Sequence, residues 1–317
     1  MTIGIATYGP NAGAACLAAL RSVEAVGRGA IRGFVSFVVM TRHGELKHMT
    51  SQKEGVDGLL AGSDLPDEFA QAELAALMSS GPNRPEPLEN FTVAKAGVAL
   101  VTGHRMPNAI GPSGKALNQS VLDLIEAGTA PSMAMSTVLA EAPDADAGFL
   151  VLTADRKMFA MNSANIALRS DTGLCILDDP IIGMGAGVIH NAILPSKPLA
   201  SLAAEIALDH MHPADAAHGF VQFRAGTKLS LADTNYVEID KNNIVRRIFV
   251  DTPSILENSR SIGLGHNVAV FDSQETTGHM TYEPFLVVID GILSTIDGMS
   301  ALSVPISQEG TTRRNQD

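Results

Sequence analysis

Thr2 is the residue of this sequence best placed for nucleophilic chemistry. A hydroxyl is a poor nucleophile until a base takes its proton, and an α-amine on the same residue, with an ordinary pKa of about 7.7–8.0, can be that base. The sequence opens Met1-Thr2-Ile3-Gly4-Ile5. A small second residue generally permits removal of the methionine, which would leave Thr2 with a free amine beside its own hydroxyl. Such a pair is suited to attack on an amide carbonyl. A second group of chemically able residues lies in Thr102-Gly103-His104-Arg105-Met106-Pro107-Asn108, between an expected strand and an expected helix. Sites are often assembled on such loops. Arg105 can bind a carboxylate with two parallel hydrogen bonds, and an unperturbed His104 titrates near neutrality. Both are expected to bind substrate.

Other constellations fit their chemistry less well. Asp209-His210-x-His212-x-x-Asp215, with His218 beyond it, is the most metal-like cluster. Residues two apart on a helix point in different directions, and a histidine at a helix C-terminus complements the dipole without any metal. No metal or cofactor is therefore assigned. Gly111-Pro112-Ser113-Gly114-Lys115-Ala116 lacks the four-residue spacer and the Ser/Thr of a phosphate loop. Gly183-x-Gly185-x-Gly187 lacks the spacing of a dinucleotide fingerprint.

Thr2-Ile3-Gly4-Ile5-Ala6 resembles the Thr-Val-Gly-Ala-Val start of the mature β-chain of isoaspartyl peptidases and plant-type asparaginases, members of the N-terminal nucleophile hydrolase superfamily. Asp179-Pro180-Ile181-Ile182-Gly183-Met184-Gly185 is similar to their Asp-Ser-Pro-Ile-Ile-Gly-Ala-Gly stretch. Leu117–Asn162, a helix pair and a hairpin, looks like a segment of another branch of that superfamily. The resemblance implies a four-layer αββα sandwich and an amide hydrolase or transferase. It carries Thr2 over as nucleophile, and it implies that Arg169 and Asp171 mimic the family's Arg/Asp clamp on an amino-acid substrate.

These residues need a scaffold, and the hydrophobic pattern supplies one. Ile3–Thr7 reads as a strand, expected inside the main sheet beside Gly33–Thr41 or the hairpin of Gly148–Thr153 and Met158–Asn162. Helices are expected up to about Val26, over Pro66–Met78, around Leu117–Ile125, after Pro131 and over Leu199–His210. The C-terminal third reads mostly as strands, with Phe285–Ile296 ambiguous between helix and strand. Helices and hairpins come in runs and not in strict βαβ alternation. That pattern predicts an α+β fold, a layered αββα-type sandwich with antiparallel-rich sheets. One large domain is expected over residues 1–307, with a linker at 81–90 (Gly81-Pro82-Asn83-Arg84-Pro85-Glu86-Pro87 at its heart) and a flexible tail at 308–317.

Composition narrows the partners. A formal charge of −12 is the wrong sign for nucleic acid. No stretch approaches the roughly 20 apolar residues that span a bilayer. Two isolated cysteines suit a reducing compartment, so a cytoplasmic protein is expected, acting on a small molecule and free to form a homo-oligomer. The reading is a hydrolase of a small amide or peptide-like substrate with Thr2 as nucleophile and His104, Arg105, Arg169 and Asp171 around it. Two alternatives stand beside it: a non-catalytic ligand-binding or assembly protein on the same scaffold, and a metal-dependent hydrolase using His210, His212 and Asp215.

Overall fold

The computed structural model describes residues 1–179, 183–212, 219–272 and 275–307. They divide into two compact units, Met1–His212 and Pro213–Asp317, where the sequence reads as one domain over 1–307. Residues 81–90 are not a linker between these units but lie inside the first. The expected tail at 308–317 lies outside the described residues.

The first unit begins with β1 (Thr2–Tyr8), α1 (Ala12–Val26), β2 (Val35–Met40), β3 (Leu46–Ser51), α2 (Gly55–Leu60), α3 (Asp67–Ala70) and β4 (Leu74–Ser80). It continues with β5 (Val93–Lys95), β6 (Ala99–Arg105), α4 (Leu117–Glu126), α5 (Pro131–Glu141), β7 (Ala147–Thr153) and β8 (Met158–Asn162). It closes with α6 (Ala164–Ala167), β9 (Thr172–Asp179), β10 (Met184–Asn191) and α7 (Ser196–Met211). One sheet has the order β3-β2-β4-β1-β10-β9 and the other β5-β6-β7-β8. Every strand pair in both is antiparallel.

Strand periodicity explains the layering. Alternate side chains of a strand point to opposite faces, so Ile3 and Ile5 of β1 enter a core with Leu17 and Leu20 of α1 and Ala203, Ala204 and Ala207 of α7. Ala6 and Tyr8 turn the other way, onto Leu100 of β6 and Leu150 and Leu152 of β7. The far face of that second sheet, with Val101, Phe149 and Val151, packs on Val121 of α4 and Met135 and Val138 of α5. The unit is thus an α+β sandwich in αββα layers, with β1 in the interior.

Two expectations change. The neighbours of β1 are β4 and β10, with β2 one strand further out and the β7–β8 hairpin in the facing sheet. The helix expected over Pro66–Met78 is only the single turn of α3, and Leu74–Ser80 is a strand. Leu, Ala and Met are good helix formers, but all seven residues of β4 are buried, as a central strand covered on both faces requires.

The second unit comprises β11 (Gly219–Arg224), β12 (Lys228–Leu231), β13 (Tyr236–Ile239), β14 (Val245–Val250), β15 (Ser259–Gly263), β16 (Ala269–Asp272), β17 (Glu275–Met280), β18 (Phe285–Ile289), β19 (Ile292–Ile296) and β20 (Ala301–Ser307). They form a ten-stranded sheet ordered β11-β20-β17-β16-β13-β14-β12-β19-β18-β15. Phe285–Ile289 and Ile292–Ile296 form an antiparallel hairpin, which resolves the ambiguous segment as two strands. Val221, Phe223, Val237, Ile248, Val270 and Leu286 are among its buried core. Among the described residues of the whole chain, no helix is long and apolar enough to cross a membrane.

Candidate functional site

Thr2 is the first residue of β1 and stands directly across from Ser80 of β4 on one side and Asn191 of β10 on the other. Thr2 and Gly4 point toward the facing sheet. A Cβ at Gly4 would lie 2.5 Å from the carbonyl oxygen of Gly103, so the missing side chain lets the two sheets meet backbone to backbone here. That approach carries the end of β6 to Thr2.

The Thr2 hydroxyl is consequently held at both ends. It donates to Oδ1 of Asn191 at 2.8 Å and accepts the backbone N–H of Arg105. Arg105 has φ 65°, a left-handed conformation that costs a non-glycine residue about 1–2 kcal/mol. Its side chain leaves in the other direction, where Nε lies 2.9 and 2.8 Å from the two carboxylate oxygens of Asp146 and Nη2 also donates to Oδ2. Ala192, one residue beyond Asn191, is likewise left-handed at φ 55°. Both strands that supply partners to Thr2 therefore end in a kink beside it.

His104 does not line the cleft as the sequence suggests: it is fully buried. Its Nε2 is 2.8 Å from Oδ1 of Asn162. That oxygen can only accept, so with the asparagine so placed Nε2 carries the ring proton and Nδ1 is left as an acceptor. Nδ1 of His104 and Nδ2 of Asn191 are both buried without a hydrogen bond. Burial lowers the His104 pKa to about 4, against smaller opposing effects of Asn162 and Asn191. Gly148, the cross-strand partner of both His104 and Asn162, leaves room for the pair: a Cβ there would sit 2.2 Å from Nε2.

Above Thr2 lies a cleft of about 140 Å³ lined by Met1, Thr2, Arg84, Arg105, Met106 and Asp146. Thr2 itself is only 3% exposed, and Met1 shares the wall, its sulfur accepting the N–H of Ala30 at 2.6 Å. Arg169 and Asp171 are spent on each other, with Nε to Oδ1 at 2.8 Å and Nη2 to Oδ2 at 2.6 Å. They act on the Met1 amine electrostatically but are not among the residues lining the cleft. Of the residues expected to surround Thr2, Arg105 is in direct contact, His104 is one step removed, and the Arg169–Asp171 pair is further out.

Asn191, Ser80, Arg84, Asp146 and Asn162 carry the rest of the site, and the sequence did not single them out. A signal existed for Asn191, which with His190 makes a polar pair closing the strand after the apolar Val188-Ile189. Arg84 is hidden in a proline-rich stretch that reads as a linker.

Of the metal-like cluster, His210 lies in the last turn of α7 and His212 at its C-cap, while Asp215 and His218 fall outside the described residues. Among the described residues no group of three His, Cys, Asp or Glu could hold an ion.

Comparison with known proteins adds a family but no activity. The profile of a domain of unknown function, DUF6963, matches residues 2–220, and that of a second domain of unknown function, DUF7259, matches residues 226–301. No curated protein matches. Among solved structures, glutamine phosphoribosylpyrophosphate amidotransferase from B. subtilis, complexed with ADP and GMP, is similar at 14% identity and a TM-score of 0.37. The match covers 65% of this chain and 43% of that one, less than half of its length. The family profiles correct the resemblance to isoaspartyl peptidases and plant-type asparaginases, since neither is of that family. Of the short stretches behind that resemblance, Thr2–Ala6 is the start of β1, while in Asp179–Gly185 the first residue ends β9, Met184 opens β10 and positions 180–182 lie outside the described residues. With its profile spanning well over half of the sequence, the chain belongs to the DUF6963 family.

Proposed function

We propose that this protein hydrolyses a small amide or peptide-like substrate, with Thr2 as nucleophile once the Met1–Thr2 bond has been cut. The observation that carries the reading is the placement of the Thr2 hydroxyl between Asn191 Oδ1 and the Arg105 N–H at the floor of a cleft. Asn191 and the Arg105 amide hold the Thr2 oxygen in one place at the floor of the cleft, and such fixed positioning of a reacting group lowers the barrier to attack. The hydroxyl turns its proton from Asn191 Oδ1 to the Thr2 α-amine, which takes it as Oγ1 bonds to the substrate carbonyl carbon. The C–N bond then breaks, the proton leaves with the amine, and water hydrolyses the resulting ester.

Electrostatics support the same base. Burial, and then Arg105, Arg84 and Arg169, hold the amine at Met1 below its ordinary pKa, against a smaller opposing effect of Asp171. An amine one residue later, on Thr2, faces the same cations and is favoured in its neutral, proton-accepting form. Loss of Met1 also removes a wall of the cleft.

The test is labelling by a hydroxyl-directed electrophile with Thr2→Ala and Thr2→Ser. Thr2→Ser should retain labelling, since hydroxyl and amine both survive, and Thr2→Ala should abolish it while the fold is kept. Equal labelling of Thr2→Ala and the natural protein would refute the nucleophile.

A further inference from the structure

We infer that Arg84 is the anion-binding residue of the Thr2 cleft, and that the substrate is an amide carrying a carboxylate. This deepens the reading of Thr2 as the reacting residue, and rests on it for the word substrate alone; the anion site stands on its own geometry.

Three guanidinium groups act on the Met1 amine at the cleft, Arg84 and Arg105 from its wall and Arg169 from further out, and two of them are neutralised. Arg105 is paired with Asp146 and Arg169 with Asp171. Among the described residues, Arg84 has no carboxylate within ion-pair distance. The nearest acid along the chain, Glu86, accepts from Gln52 Nε2 at 2.7 Å and from the N–H of Leu88 at 3.1 Å instead. A cation without a counter-ion thus faces a cleft whose one carboxylate, Asp146, is already engaged.

Arg84 is also built to stay in place. Its Nε and Nη2 both donate to Oγ of Ser80, at 2.9 and 2.7 Å, and Ser80 is the strand partner of Thr2. The Gln52 side chain clips its backbone from both sides, accepting from the Arg84 N–H at 3.0 Å and donating to its carbonyl at 2.7 Å. The guanidinium carbon lies 5.7 Å from the ring centre of buried Phe34. A neutral hydroxyl and an aromatic face position the cation without cancelling its charge. Burial and the neighbouring Arg105 disfavour that charge. An anion relieves the cost, and a rigid planar fork suits a carboxylate. Distance along the register ties this site to the chemistry: the residue that orients Arg84 is the one opposite the nucleophile.

The experiment measures equilibrium binding to the full chain carrying Thr2→Ala, so that no turnover is needed. The probes are the half-amides oxamate, malonamate and succinamate, the matching neutral diamides, and inorganic phosphate. At least one half-amide should bind, and Arg84→Gln should weaken it about ten- to a hundred-fold, the usual cost of losing a charge-assisted hydrogen-bonding partner. The diamides should bind weakly and be indifferent to the change. Arg84→Lys should fall between, because it keeps the charge and loses the fork. Half-amides that bind no better than diamides, or equally well to folded Arg84→Gln protein, would overturn the proposal. Phosphate bound through Arg84 more tightly than any half-amide would overturn the carboxylate assignment. Half-amide binding through Arg84 in a protein whose Thr2 proves unreactive would leave the anion site standing and remove the nucleophile.

Discussion

The hydroxyl of Thr2 donates a 2.8 Å hydrogen bond to Oδ1 of Asn191, a residue 189 positions later that lies directly opposite it in the sheet. No local pattern could bring these two together; the pairing of β1 with β10 does. Because both are buried, replacing Asn191 leaves the Thr2 hydroxyl without its acceptor. Asn191→Leu is expected to destabilise the fold by about 1–3 kcal/mol, read from the denaturant midpoint. Labelling of Thr2 should slow at least ten-fold, more than the stability loss alone would produce in a protein that remains folded.

His104 makes stability depend on pH. Its folded pKa of about 4 lies below its ordinary 6.5, so between these values the unfolded chain binds the proton more readily than the folded one. Stability from this group is complete above pH 6.5, falls as pH drops toward 4, and levels off below. A shift of that size is worth on the order of 3 kcal/mol at 1.36 kcal/mol per unit. Buried His190, also lowered mainly by burial, acts in the same direction. Denaturant melts of the natural protein and of His104→Gln between pH 4 and 7 isolate the His104 part. The stability advantage of the natural protein should shrink as pH falls, and a constant difference would contradict the assignment.

Gly148→Ala is expected to act on the site from behind. The added methyl would meet His104 Nε2 at 2.2 Å and Asn162 Oδ1 at 2.4 Å, so one of that pair must move. Overpacking of this kind typically costs about 1–3 kcal/mol. A thermal melt measures it, and the pH dependence assigned to His104 should weaken in the same variant, since its ring would no longer be held in the same surroundings.

What could be read from the sequence was whatever local chemistry dictates. Strand Ile3–Thr7, the helix ending at Val26, the helix opened by Pro131 and the hairpin of Gly148–Thr153 and Met158–Asn162 all follow from hydrophobic period and turn residues, and they are present. The layered α+β class followed from their order. The segment Leu74–Ser80 was misread because its composition favours a helix, while its position between β2 and β1 makes it a strand. The site was half legible. Thr2 and Arg105 stand out by type and place, and Arg105 does reach Thr2, but through its backbone N–H and not the guanidinium that drew attention. Asn191, Ser80 and Arg84 owe their roles to register and to a loop clipped by Gln52, which only the folded chain displays.

The most direct measurement of the central claim is the intact mass of the full chain, with its N-terminal peptide sequenced, before and after treatment with a hydroxyl-directed electrophile. The account predicts that the chain begins at Thr2 with a free α-amine and that the adduct maps to the Thr2 side chain. A protein that keeps the Met1–Thr2 bond throughout, with no adduct on Thr2, would contradict it.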